Sequence, residues 1–386
     1  MSESQGKGES DPNYFKINEE AFKAAFDSTD TNIGRLNVAV FGATGVGKST
    51  LVNTIFGESV ARTGVGKPVT SKRTLHKHES GVLGIFDGPG VELGQDAADL
   101  VADLRDFVSE QSGPLEDRIH VVWFCIGGRT NLQSFQEDFI REVHQLGLPV
   151  ICVLTQVDEK RDGAVRQQSK DLYDAVVAAQ LPIVGVPVML ACRPSSEMFV
   201  AHGVDKLLDV TRKVIPDACR AAFDAAQWVD WDLKRRTARG YVTAATVAAG
   251  ASSFIPIPGA DITAIVATQA VLLDRISHLY DVQMETSAYL RLLGPSAMTL
   301  LQRTALASVA KFVPFGDAIA GPVIATVASA ATAVVGFAWI TTCERIARGE
   351  VSNDYQSAVE TFSEQVDEQE SRLDAEEVRS DENETN

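Results

Sequence analysis

The chain has 386 residues, 45% of them hydrophobic, and a formal net charge of −17. That length predicts two packed domains, and that charge argues against a general nucleic-acid surface, which needs a clustered basic face. The acidity sits at the ends: residues 350–386 hold 13 acidic and 2 basic residues, and residues 1–30 hold 7 and 3. Cys125, Cys152, Cys192, Cys219 and Cys343 form no C-x-x-C pair, and the six histidines show no metal-ligand spacing. Reduced, buried thiols are expected rather than a disulfide frame. A polar, acidic start predicts no signal peptide and a cytoplasmic location.

Residues 1–34 read as a disordered start followed by an amphipathic helix over Tyr14–Phe26 and a linker. Leu36–Phe41 is an apolar run of strand length, and Thr50–Ile55 has the spacing of a helix. Between them lies Gly42-Ala43-Thr44-Gly45-Val46-Gly47-Lys48-Ser49, which fits G-x-x-x-x-G-K-[ST] in the context that motif requires. Gly42, Gly45 and Gly47 let the backbone wrap a diphosphate, with amides and the helix start at Ser49 and Thr50 turned toward it. Lys48 supplies a point charge for the β- and γ-phosphates, and the Ser49 hydroxyl is a hard ligand for Mg²⁺. The residues define a nucleotide-phosphate site.

Gly57–Thr74 lacks periodicity and reads as a loop offering one well-placed hydroxyl, Thr70. Gly81–Phe86 is a strand ending at Asp87-Gly88-Pro89-Gly90. A carboxylate there can reach Mg²⁺ through water, and the Gly90 amide can reach a γ-phosphate. Lys48, Thr70 and Gly90 are thus the candidate catalytic residues, and Ser49, Thr70 and Asp87 the candidate metal ligands. Further apolar strands are expected at His120–Ile126, Pro149–Leu154 and Val186–Leu190, with helices at Ser134–Leu146 and Val204–Ile215. Alternating strands and helices of this kind predict a doubly wound, mostly parallel sheet that binds ligands at its C-terminal edge.

From Arg35 to Pro216 the order and spacing of these motifs resemble the translation-factor-type small GTPases, in particular the Era-like bacterial group. The resemblance implies GTP and GDP as ligands, Mg²⁺ as cofactor and GTP hydrolysis as the reaction. It makes Thr70 the switch I threonine, Asp87–Gly90 the switch II motif, and Asp158 the carboxylate that reads guanine. Ala191 and Cys192 then lie where the last loop offers an amide to the guanine oxygen. Two positions depart from the pattern. The usual N-K-x-D is Thr155-Gln156-Val157-Asp158, so Gln156 replaces the lysine whose stem packs on the base. Val91 stands where a glutamine would orient water, which predicts slow hydrolysis completed by a cation, a partner or a homodimer.

After Pro216 the pattern becomes helical: one long stretch over Asp217–Arg239, helices at 263–280 and 286–306, and uncharged runs at 241–260 and 318–343. Phe254–Ile262 and Phe312–Ile319 repeat a proline–glycine–aspartate turn, in which Asp261 and Asp317 read as helix N-caps. This half resembles, through Pro256–Leu273, a helical domain of unknown function carried by some Era-like GTPases and by certain inner-membrane proteins. A buried bundle and association with the cytoplasmic membrane through 241–343, anchored by the basic cluster Lys234–Arg239, both fit the residues. The expected organisation is an α/β P-loop GTPase domain over 35–216, an all-α, Ala-rich helical domain over 217–349, and an acidic tail over 350–386, disordered from Glu368. A nucleotide-dependent switch is the expected function. A nucleotide-gated scaffold or membrane-bound adaptor is the alternative. A ribosome-assembly role finds no basic RNA-binding module to support it.

Overall fold

The structure, a computed structural model, describes residues 34–57, 75–77, 81–87, 105, 117–252, 260–282, 289, 292 and 317–384. The chain folds as two compact units that divide between Trp231 and Asp232.

The first unit is built on a six-stranded sheet of order β2-β3-β1-β4-β5-β7. Its strands are β1 (Leu36–Gly42), β2 (Leu75–Lys77), β3 (Leu83–Asp87), β4 (Val121–Gly127), β5 (Val150–Thr155) and β7 (Val188–Met189). All neighbours are parallel except the edge pair β2–β3. Strands β1, β4 and β5 are buried along their whole length, which is why they read as continuous apolar runs rather than alternating ones. Helices cover both faces. On one, Phe139 of α2 (Ser134–Gln145) packs against Phe41 and Phe124 at 4.9 and 5.0 Å between ring centroids. On the other, Trp123 stacks on Phe56 of α1 (Lys48–Phe56) at 5.7 Å. Its indole also donates to Thr211 Oγ1 of α4 (Val204–Val214).

Three features were not read from the sequence. Helix α3 (Gln167–Ala178) follows β5. A second sheet pairs β6 (Glu159–Lys160) with β8 (Phe199–Val200). The unit also extends past Pro216, because α5 (Asp217–Ala226) packs on β1 and β3. The compact unit that holds the sheet runs on to Trp231. The single helix expected over 217–239 breaks at Gln227, whose Oε1 accepts from the Val229 and Asp230 amides at 2.9 and 2.7 Å. The Trp228 amide donates instead to Ile55 O, at 2.7 Å. Backbone groups satisfied sideways in this manner cannot continue a helix.

The second unit contains most of α6 (Trp231–Ser252), then α7 (Ala260–Tyr280), α8 (Asp317–Ala347) and α9 (Tyr355–Glu384), with α8 packed on both α7 and α9. Trp339 is fully buried in α8, donates to Ser277 Oγ at 2.9 Å, and meets the Phe362 ring edge-on at 5.7 Å. Gly336 permits close helix contact: a Cβ there would lie 2.6 Å from Val242 Cγ2. Two residues of the basic cluster are consumed internally. Lys234 is buried and donates to Leu279 O, and Arg235 forms a two-pronged pair with Glu344. No helix of the described residues is long and apolar enough to cross a membrane.

Asp261 and Asp317 lie at the N-terminal starts of α7 and α8. The tail expected to lose order from Glu368 instead continues as helix to Glu384. Its Glu, Gln and Arg residues are good helix formers, i,i+4 pairs such as Arg372–Glu368 at 2.6 Å support it, and Ala358 and Phe362 bury its first turns. The Tyr14–Phe26 helix and most of the expected 286–306 helix lie outside the described residues.

Candidate functional site

The central strand β1 runs directly into the phosphate loop. Gly42 has φ +145°, and a Cβ on it would sit 2.2 Å from Cys125 O of β4, so only glycine lets the chain leave the sheet there. Gly45 and Gly47 also have positive φ, at 80° and 97°. Helix α1 then starts at Lys48 with no side chain capping it. The first amides of a helix are the groups that an anion at such a loop would engage. Lys48 Nζ donates to Gly42 O and Ala43 O at 2.7 and 3.0 Å, which folds the ammonium back into the cradle formed by Ala43, Thr44, Gly45 and Val46. Ser49 and Thr50 occupy the first turn of α1.

Register places Asp87 level with Val40 on the neighbouring strand, two residues before Gly42. Thr70 and Gly90, and with them Val91, lie outside the described residues.

Strand β5 delivers the second half of the site. Thr155 is buried, and its hydroxyl donates to Val46 O at 2.5 Å, with Ile126 O 3.2 Å away. Gln156 adopts φ +57°, a left-handed conformation that costs a side-chain-bearing residue about 1 kcal/mol. That turn brings its Nε2 to Gly45 O at 2.8 Å and to 3.7 Å from the Cβ position of Gly47. Both residues that depart from the N-K-x-D pattern therefore fasten the strand end to the phosphate loop.

Asp158 is 2% exposed. Its Oδ2 accepts from Arg129 Nη2 and Arg166 Nε, each at 2.8 Å, and Oδ1 accepts from the Ser195 amide at 3.3 Å. Burial by itself would raise this carboxyl, but hydrogen bonds from Ser195, Arg166 and Arg129 outweigh it and hold the group below the usual carboxylate range. It remains ionised, an acceptor on both oxygens. The loop after β7 closes the same corner. Leu190 O accepts the Val157 amide at 3.1 Å, and Ala191 exchanges two 3.1 Å backbone bonds with His202. Cys192 is half-buried, and burial raises its thiol even though Thr54 and Arg193 pull it down. Burial also pushes Cys125 and Cys152 up to about 12, so neither is a nucleophile beside the loop.

The fold is that of a P-loop GTPase domain, a mostly parallel sheet with the loop at the end of its central strand, followed by a helical region. Residues 37–156 match the family described as "50S ribosome-binding GTPase". Among curated relatives, GTPase Era of Halothermothrix orenii is 24% identical over 148 residues, 38% of this chain and 48% of that protein. GTPase Era of Pseudomonas fluorescens is 31% identical over 140 residues, 35% and 44%. The probable GTP-binding protein EngB of Thermosipho africanus is 26% identical over 159 residues, 40% and 81%. The chain spans about half the length of the Era relatives it matches. Translation elongation factor SelB of Methanococcus maripaludis superposes with a TM-score of 0.27 at 18% identity, over 45% of this chain and 33% of that one. That superposition is too loose to carry an argument.

Arg129 and Arg166 are the site residues that motif reading missed. Their placement follows from the sheet and not from a motif: the parallel β4–β5 register puts the residues just past Gly127 beside those just past Thr155.

Proposed function

We propose that the protein binds GTP and GDP with Mg²⁺, hydrolyses GTP slowly, and uses the change of nucleotide as a switch on its helical region. One observation carries this reading: the segment that ends in an ionised, buried Asp158 is fastened to the phosphate loop through Thr155–Val46 and Gln156–Gly45. Phosphate grip and base readout then form one rigid piece, which is the positioning that phosphoryl transfer needs. An acceptor-only carboxylate pairs with the N1–H and 2-amino group of guanine, whereas adenine presents an acceptor at N1 and is refused. Mg²⁺, when bound by Ser49 and Asp87, neutralises charge on the phosphates. Lys48 supplies a second positive charge from the protein itself.

Slow turnover follows from Val91, whose side chain cannot orient water. A homodimer, a partner or a monovalent cation would complete the site. The switch reading is supported by the bond from Trp228 N to Ile55 O, which ties the end of α1 to the segment leading into α6. A shift of α1 as its N-terminus gains or loses a γ-phosphate would be felt there. Val91 also favours a second reading, a nucleotide-gated scaffold or adaptor with incidental turnover, held at a membrane surface through 241–343.

Titration with fluorescent GDP, GTP and ATP analogues, with and without anionic vesicles, tests the reading. Guanine analogues should saturate the protein, ATP should not, and Lys48→Ala should abolish binding. Equal uptake of ATP and GTP would refute the assignment of Asp158.

A further inference from the structure

Asp158 is held in a way that base reading does not need. Two guanidinium donors meet on one carboxylate oxygen: Arg129 Nη2 and Arg166 Nε both lie 2.8 Å from Oδ2. A carboxylate oxygen offers two lone-pair sites, so Oδ2 is saturated. A guanine that pairs through both N1–H and its 2-amino group requires a site on each oxygen. One arginine must therefore give way.

The two arginines are not equivalent. The Arg166 guanidinium lies over the Phe199 ring at 5.1 Å, and Phe199 is paired with Lys160 in the β6–β8 ribbon that follows Asp158. Its donor is Nε, the end of the guanidinium nearest the stem. Arg129 donates through Nη2 at the tip. Apart from Asp158, what holds Arg129 among the described residues is a main-chain bond, from Gln168 Nε2 to Arg129 O at 2.6 Å. It also stands just past the C-terminal end of β4, on the edge of the sheet where ligands bind.

We propose that Arg129 competes with guanine for Asp158 Oδ2, while Arg166 stays and orients the carboxylate. Reading the base exchanges an arginine–carboxylate bond for a base–carboxylate pair. Arg129 thus sets nucleotide affinity and the preference for bases carrying a 2-amino group. This inference rests on the guanine-binding reading above. Hypoxanthine, which lacks the 2-amino group, needs one oxygen and can use Oδ1 alone, so it escapes the competition.

The experiment measures dissociation constants of fluorescent GDP and IDP analogues for the full chain and three variants. Arg129 is 47% exposed, which discounts its bond, so Arg129→Met should tighten GDP by roughly fivefold and IDP by much less. Arg129→Lys, which restores a cationic donor, should return affinity toward wild type. Arg166→Met should act in the opposite direction and weaken GDP. Unchanged or weaker GDP binding in a folded Arg129→Met protein overturns the proposal, as does equal tightening for GDP and IDP. Failure of the wild type to bind GDP would instead sink the functional reading itself, so the two failures are told apart.

Discussion

Thr155→Val is the sharpest probe of the link between fold and site. The substitution keeps the β-branched shape and removes one hydroxyl. That hydroxyl has a single proton, which goes to Val46 O at 2.5 Å rather than to Ile126 O at 3.2 Å. Losing it strands a carbonyl of the phosphate loop in a site where Thr155 is 2% exposed. An unsatisfied buried acceptor costs about 1–3 kcal/mol, and the low end applies because the loop can shift toward water. A loop that has moved must be re-formed around the diphosphate, so a similar cost should reappear in binding. About 1.4 kcal/mol is a tenfold change in affinity. Thermal unfolding of the ligand-free protein and GDP titration together provide the assay, with Thr155→Ser as the control that keeps the hydroxyl. The expected result is a lowered melting temperature and roughly tenfold weaker GDP binding for Val, and near-normal values for Ser. If Val lowers stability yet binds GDP like wild type, the bond supports the sheet and not the site, and the argument for a single rigid piece fails.

Asp224 is fully buried in α5 and holds Arg212 of α4 at 3.0 Å, so Asp224→Asn leaves a guanidinium without its counter-charge. Since Arg212 is 35% exposed, about 2 kcal/mol of stability should be lost, read as a lower urea midpoint at an unchanged slope; an unmoved midpoint would contradict the pairing. Asp354 accepts the Ser357 amide at 3.0 Å at the start of α9. Bonds from the Ser357 amide and the Ser352 and Ser357 hydroxyls lower its carboxyl from 3.8 to about 2. A folded-state value below the unfolded one means that the cap stabilises fully above about pH 4 and is lost as pH falls through 2. The difference in helicity between wild type and Asp354→Ala, followed by circular dichroism, should therefore persist at pH 5 and shrink toward pH 2. In the nucleotide titration, Lys48→Ala should abolish guanine-nucleotide uptake, because it removes the ammonium that Gly42 O and Ala43 O hold in the loop's cradle.

Legibility from sequence followed the range of the interactions. The phosphate loop, the parallel strands and the order of elements rest on local rules: glycine where φ is positive, apolar runs where both faces are covered, proline and glycine where helices stop. Those rules act over a few residues and leave a trace in the chain. They also gave the strand end that carries Asp158, whereas the part expected of that carboxylate came from the resemblance to Era-like GTPases. What they missed was decided across longer separations. The break at Gln227 depends on Trp228 reaching Ile55 O, and the placement of α5 depends on the faces of β1 and β3. Lys234 and Arg235 read as a surface cluster, yet Lys234 is buried with its ammonium on Leu279 O, and Arg235 is paired with Glu344.

Sequence alone therefore determined that a nucleotide-phosphate loop sits at the end of a central parallel strand, with a carboxylate beyond a later strand. Only the tertiary structure decided that Thr155 and Gln156 fasten those two parts together, and that Arg129 and Arg166 converge on Asp158. Arg129 lies 29 residues from Asp158 along the chain and meets it because the β4–β5 register sets Gly127 beside Thr155. Side-chain identity states what a residue can donate or accept. Strand register states to whom.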